Sequence, residues 1–291
     1  MILFDRIDLL QAHLQQAQTQ QSIGFVPTMG ALHEGHLALI KQSMRQNTIT
    51  VCSIFVNQLQ FNQAEDFTKY PRTLDQDIAL LEKIGCHCLF IPTHSTVFPE
   101  NYPLKTFALG NVEHILEGFY RPGHFQGVCQ VVKRLLDIVR PTNLYLGMKD
   151  FQQCIVIDKM MQLVGFNQFI KVHFCDTVRN EDGLALSSRN KRLSPQAISK
   201  ALGLINNLKQ AKSTILNNPT LVNLDSLQQA SINSLINNGF ESVDYFTFMN
   251  EQFEPIHSIT DSVKQIIILV AATIEGVRLI DNIIIKSNEF K

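Results

Sequence analysis

The sequence carries no excess of charge of either sign: 25 Lys and Arg stand against 26 Asp and Glu, a formal net charge of -1. A chain so balanced offers no basic field to a polyanion, so neither DNA nor RNA is an expected partner. A small anionic substrate can still be held by a few local cations. Long apolar runs are also missing. The longest, Ile266 to Ile274, is far too short to span a bilayer. The opening MILFDRIDLLQAHLQQAQTQQ has no basic n-region, no long apolar core and no small-residue cleavage site, so it does not read as a secretory signal. The expectation is a cytoplasmic protein with no membrane partner. No C-x-x-C pair occurs among Cys52, Cys86, Cys88, Cys129, Cys154 and Cys175. Most of them sit in apolar strings such as TVCSIFV and GCHCLFI and read as small hydrophobes in a reducing compartment. Cys86-His87-Cys88 is no zinc pattern. CLFI reads as a strand, alternation turns His87 away from the thiols, and distant partner ligands are lacking. No protein metal site is expected.

What is present is alternation. With 291 residues the chain allows one large domain or two smaller ones, and 45 % hydrophobic residues suffice for a sizeable core. The first 21 residues have helical apolar spacing (Leu9, Leu10, Leu14). SIGFVPTMG, ALHEGHLALIKQSMRQ and NTITVCSIFVN then read as strand, helix and strand. LDQDIALLEKIG, stopped by Gly85, is a helix, and CLFIP is a strand. Residues 92–127 look like long loops over a site. GVCQVVKRLLDIV is a helix stopped by Pro141; NLYLG, FQQCIVIDKMMQLVGF and FIKVHFCDTV are strand, helix and strand. Five strands alternating with helices predict a doubly wound α/β domain with a parallel sheet over about residues 1–176. The remainder, about 177–291, predicts a smaller α+β domain. A polar loop and helices come first, then VDYFTFMN, QIIILVAATIEG and VRLIDNIII at hairpin-like spacing.

Ligands of open α/β sheets bind at the carboxyl ends of the strands, so the first strand–helix turn, VPTMGALHEGH, is informative. It has neither G-x-G-x-x-G nor G-x-x-x-x-G-K-[ST], which removes a Rossmann dehydrogenase site and a P-loop. It has H-x-G-H instead, His33 and His36, one residue short of a zincin motif. Two imidazoles on one helix face, beside the free N–H groups of a helix start, suit a triphosphate whose pyrophosphate is leaving. Gly30 and Gly35 permit close approach of the nucleotide. Either histidine alone is more commonly a surface or core-edge residue. LALSSRNKRL adds Ser187, Ser188 and Arg189, hydroxyl donors and a guanidinium fork suited to phosphates, though S-S-R-N alone is ordinary loop chemistry. GMKDFQQ, directly after a strand, offers Lys149 as a point charge and Asp150 for ribose hydroxyls. Its plain reading is a solvated pair with Asp150 capping a helix.

VPTMGALHEGH, FVNQLQFN, YPRTLDQD, RPGHFQGV, GMKDFQQ and GLALSSRN occur in the order seen in the pantoate–β-alanine ligase family, and the chain resembles that family from about Gly24 to VRLIDNI. The resemblance implies a Rossmann-like N-terminal domain, a smaller C-terminal lid and a homodimer. It also implies condensation of (R)-pantoate with β-alanine through a pantoyl adenylate, using ATP with Mg²⁺. Carried over residue by residue, ATP would be held by Met29, Gly30, Ala31, Leu32, His33, Glu34, Gly35 and His36, with His36 the proton donor. Gly147, Met148, Lys149 and Asp150, Val178, and Leu186, Ser187, Ser188 and Arg189 would complete that site. Gln60 would contact pantoate and β-alanine, Gln153 pantoate, with Asn57, His124 and Arg121 beside them. Neutral amides recognise hydroxyls without adding charge. The chain departs from the family at Gln58 (proline), Met148 (glutamate), Gln130 (threonine) and Leu186 (methionine). Gln58 loosens a turn that proline would stiffen, and Met148 removes a charge near the nucleotide.

Three other readings compete. A nucleotidylyltransferase shares the H-x-G-H logic, but a phosphorylated substrate calls for more Arg and Lys than the uncharged Gln60 and Gln153. A class I aminoacyl-tRNA synthetase needs a basic extension that is missing. A non-catalytic sensor of the same ligands has no need of both histidines, Lys149 and Arg189.

Overall fold

The computed structural model describes residues 1–18, 22–61, 67–260 and 263–289. Two compact units divide the chain, Met1–Thr177 and Val178–Lys291. Residues 19–21 of the N-terminal helical run, and Asn62 closing FVNQLQFN, lie outside the described residues.

The first unit is built on six parallel strands: β1 (Ile2–Phe4), β2 (Ile23–Thr28), β3 (Ile49–Ile54), β4 (Cys88–Phe90), β5 (Asn143–Gly147) and β6 (Lys171–Cys175). Their order is β1-β4-β3-β2-β5-β6. From β2 the chain steps outward through β3 to β4, then returns to the other side of β2 for β5 and β6. The strand order therefore reverses between β2 and β5, which pair through Gly24 with Asn143 and Phe25 with Leu144. Such a reversal opens a crevice at the carboxyl ends of the two strands. Strands β2 and β3 are apolar on both faces because helices cover both sides, and Phe25, Val26, Val51 and Cys52 are fully buried. The helices are α1 (Ile7–Gln18), α2 (Glu34–Gln46), α3 (Leu74–Lys83), α4 (His124–Val139) and α5 (Phe151–Leu163).

Two sequence expectations need correction here. The sheet has six strands, not five: the chain opens with β1, which pairs with β4 through Ile2–Cys88 and Phe4–Phe90 before α1 begins. Helix α4 starts at His124 rather than Gly127, and the loops read over 92–127 contain short helical turns at His94–Val97, Gly110–Glu113 and Glu117–Tyr120.

The second unit packs α6 (Pro195–Ala201), α7 (Gly203–Asn217) and α8 (Leu224–Asn237) with an antiparallel sheet of β7 (Ser242–Met249), β8 (Gln265–Ile274) and β9 (Val277–Lys286). Leu204, Leu208, Ala211 and Ile215 on α7 recur at helical spacing and meet Phe246, Phe248, Ile266, Ile268 and Val270 in one core. Among the described residues no helix is long and apolar enough to cross a membrane.

Candidate active site

The crevice between β2 and β5 is bordered by the turns that carry VPTMGALHEGH and GMKDFQQ. Thr28 closes β2: its Oγ1 donates to the Ser53 carbonyl at 2.7 Å and accepts from the Gly30 N–H at 3.2 Å. Gly30 and Ala31 both take left-handed backbone angles, φ +77° and +49°. For alanine that conformation is unfavourable, and the surroundings must enforce it. The enforcement comes from Asp77 in the first turn of α3. Its buried carboxylate accepts the Ala31 N–H at 2.9 Å and the Leu32 N–H at 2.8 Å. Thr73 donates to the same carboxylate at 3.3 Å.

The chain then turns into α2 with His33 as its N-cap, the Nδ1 accepting from the Gly35 N–H at 3.2 Å. That bond makes Nδ1 the acceptor of a neutral ring and places the proton on Nε2. The His36 ring lies with its centroid 4.0 Å from that of His33. His36 is half-buried, but its Nδ1 is sealed from solvent and has no hydrogen-bond partner among the described residues. Burial, followed by the neighbouring His33, pushes the His36 pKa down to about 3. The ring is therefore neutral near pH 7.

Across the crevice, β5 leads into a 3₁₀ turn of Met148, Lys149 and Asp150. The Lys149 ammonium lies 3.2 Å from the Asp150 carboxylate. Asp150 occupies the N-cap position of α5 yet makes no side-chain capping bond, so its plain reading as a cap does not hold.

The third group forms around a 3₁₀ turn at Gln58–Gln60, beyond β3. Asn57 is fully buried; its amide donates to the Gly127 carbonyl at 3.0 Å and lies 3.3 Å from Gln60 Oε1. Gln60 Nε2 donates to Met29 Sδ at 2.9 Å, which ties this turn to the one after β2. His124, at the start of α4, approaches the Gln60 carbonyl with Nδ1 at 2.7 Å. A carbonyl only accepts, so Nδ1 carries the proton and Nε2 faces Arg121 Nη1 at 3.1 Å as acceptor. Burial, then Arg121, lowers the His124 pKa to about 4. Arg121 in turn lies 4.0 Å from the Glu117 carboxylate. Gln152 is buried as a strut, accepting from the Glu117 N–H and donating to the Val112 and Ile115 carbonyls. Gln153, next on α5, is half-buried.

Gln58 does not leave its turn unsupported, because Asn57 Oδ1 accepts from the Leu59 N–H at 3.3 Å and Gly127 packs against it. Gln130 uses its extra length to donate to the Lys105 carbonyl.

In the second unit the Leu186 N–H donates to the Val178 carbonyl at 3.0 Å, so these two expected nucleotide contacts are neighbours. Ser187 caps the 3₁₀ turn Ser188–Arg192 by accepting the Arg189 N–H at 3.2 Å, and Ser188 is buried. Arg179 braces the segment through a bidentate pair with buried Asp281, at 2.6 and 2.8 Å, and through the Gly183 carbonyl. Asp77 and Arg179 are the supports that the sequence motifs did not reveal. Asp77 falls inside YPRTLDQD, where it looks like an ordinary acidic residue at a helix start.

A doubly wound sheet whose switch-point turn carries two neighbouring imidazoles is the frame of an H-x-G-H nucleotide-handling protein. Comparison with known proteins narrows this to one family. The model for pantoate-beta-alanine ligase matches residues 2–284, and the chain belongs to that family. A pantothenate synthetase of Cytophaga hutchinsonii is 41 % identical, with 98 % of this chain and 99 % of that protein covered. One from Campylobacter fetus is 42 % identical, with 90 % and 92 % covered. The crystal structure of pantothenate synthetase from Thermus thermophilus superposes with a TM-score of 0.88 at 37 % identity, covering 97 % of this chain and 99 % of that one. A Francisella tularensis pantoate-beta-alanine ligase, complexed with beta-gamma ATP and β-alanine, gives a TM-score of 0.78 at 36 % identity, covering 97 % of each.

Proposed function

We propose that this chain condenses (R)-pantoate with β-alanine, using ATP, to give pantothenate, AMP and pyrophosphate through a pantoyl adenylate. The observation that supports the reading most is the bond from Gln60 to Met29: Gln60 suits pantoate hydroxyls, and Met29 belongs to the turn that suits ATP. The Francisella relative complexed with beta-gamma ATP and β-alanine supports both as substrates here.

In the first step the pantoate carboxylate attacks the α-phosphorus of ATP, and pyrophosphate leaves with the electron pair of the broken P–O bond. His33, His36 and Lys149, with Ser187, Ser188 and Arg189, take the developing charge. His36 enters this step as a neutral imidazole and donates a hydrogen bond. Approach of a triphosphate favours its protonated form, so the ring becomes a stronger donor as the nucleotide settles. Asp150 takes ribose hydroxyls. Gln60 and Gln153 read the pantoate hydroxyls, with Asn57, His124 and Arg121 holding the Gln60 turn. In the second step the β-alanine amine attacks the acyl carbon, AMP departs and the amine loses a proton. Proximity is the main requirement there.

Among the described residues no group of three or more His, Cys, Asp or Glu side chains is placed to cage a metal ion. Mg²⁺ would enter on the phosphates of ATP, with most of its shell from phosphate and water. A cytoplasmic homodimer, with residues 177–291 closing as a lid over the substrates, completes the proposal.

The test is pyrophosphate release from ATP, Mg²⁺ and (R)-pantoate, with and without β-alanine, while AMP and pantothenate are followed in parallel. Sustained pantothenate and AMP only with all substrates supports the reading. Turnover of a different acid or of a phosphorylated substrate overturns it.

A further inference from the structure

We infer that Asp77 is a positioning residue for nucleotide binding, a built-in anion that shapes the turn after β2 before any nucleotide is present. The inference rests on the reading of that turn as the ATP site.

Two successive backbone N–H groups in a left-handed turn form a cradle that attracts an anion. At Ala31 and Leu32 that cradle is filled by the chain itself, through Asp77, a residue 46 positions away from Ala31 in sequence. The carboxylate is buried at 2 % exposure, and both its oxygens are used. Charge-assisted bonds of this kind are strong enough to hold an alanine at φ +49°. Gly30 fits closely: a Cβ there would lie 3.0 Å from Asp77 Oδ2, so the carboxylate would have to give way by a few tenths of an ångström.

The consequence runs in both directions along the chain. Met29, just before the cradle, meets Gln60, and His33, just after it, caps α2 beside His36. Because these N–H groups are taken, the phosphates of ATP meet the imidazoles and the first turn of α2 instead. If the carboxylate is removed, Ala31 relaxes toward negative φ, and Met29 and His33 move with it. A displacement of about 1 Å at a site of this kind costs on the order of a hundredfold.

The experiment measures ATP binding by calorimetry and pyrophosphate release for the wild type, Asp77→Asn, Asp77→Ala, Ala31→Gly and the Asp77→Ala/Ala31→Gly double variant. All are measured well below each variant's melting temperature. Asp77→Asn keeps the size and one acceptor oxygen, and it serves if the alanine variant does not fold. The expected result is ATP binding weaker by about tenfold to a hundredfold in Asp77→Ala, with a smaller loss in Asp77→Asn. The KM for β-alanine changes much less than the affinity for ATP. Glycine has no left-handed penalty, so Ala31→Gly in the Asp77→Ala background recovers about fivefold or more. A folded Asp77 variant that binds ATP as the wild type does, or a double variant no better than Asp77→Ala alone, overturns the inference. Failure of the wild type to bind ATP overturns the nucleotide reading itself, and the inference with it.

Discussion

Gly127→Ala separates the packing argument from simple helix propensity, because the two predict opposite signs. Gly127 lies within the first turns of α4, where alanine is favoured by about 1 kcal/mol in a free helix. In this protein the added methyl would overlap the backbone carbonyl of Leu59 and lie 2.7 Å from the Cα of Gln60, against ordinary contact of 3.4 Å or more. The obstacle is main chain rather than the tip of a flexible side chain, so the Gln58–Gln60 turn must retreat by most of an ångström. Overpacking of this severity costs about 3 kcal/mol, which leaves a net loss of about 2 kcal/mol after the propensity gain. For a unit of this size that lowers the melting temperature by about 4–8 °C. The functional loss is larger, since the turn carries Asn57 and Gln60 and a shift of this size costs on the order of a hundredfold in turnover. Differential scanning calorimetry gives the first quantity, and pantoate-dependent pyrophosphate release gives the second. A Gly127→Ala protein as stable and as active as the wild type would refute the reasoning.

Further predictions follow from the same geometry. His36→Ala lowers adenylate formation by about 10²–10³-fold with the fold retained, since it removes one donor to the phosphates; near-normal pyrophosphate release by a folded variant would exclude His36 from the mechanism. Gln60→Ala raises the KM for pantoate well above any change for ATP, and equal losses in calorimetry count against its role. The His36 and His124 pKa values lie at about 3 and about 4, below the ordinary 6.5. The unfolded chain therefore binds more protons between those limits, so stability is full above pH 6.5 and falls as the pH drops toward 4. His124→Gln should flatten the melting temperature over that window, and an unchanged slope would contradict the assignment. Arg179→Ala leaves the buried Asp281 carboxylate without its partner and destabilises the second unit by about 3–5 kcal/mol, read by thermal unfolding.

Most of the α/β unit was legible because its strands and helices declare themselves locally. Phe25, Val26, Val51 and Cys52 form unbroken apolar runs, and Leu37 and Ile40 recur at helical spacing. β1 was not legible. It is a three-residue edge strand with Ile2 and Leu3 about half exposed, so nothing in its own pattern opposes a helix running in from residue 1. The start of α4 was hidden by Gly123, whose φ of +79° delivers the chain into the helix at His124 from what reads as loop sequence. Within the site, H-x-G-H stood out because its spacing carries meaning. Asp77 did not, because a carboxylate in the first turn of a helix is commonplace and its partners are 45 and 46 residues away. Long-range contacts leave no local period to detect.

All six cysteines are free and buried, and all six lie within Met1–Thr177. Burial raises every one of these thiols, to about 11 at Cys86, Cys88 and Cys175 and about 12 at Cys129, with Cys52 and Cys154 also raised. Alkylating reagents attack the exposed thiolate, so the folded chain is close to silent toward them. Labelling then becomes a clock that runs only while the first unit is open. The unit from Val178 onward contributes no thiol to the signal, so its own unfolding passes unrecorded. Counting alkylated species by mass spectrometry along a denaturant series therefore reports the opening of the first unit alone, without a probe being introduced.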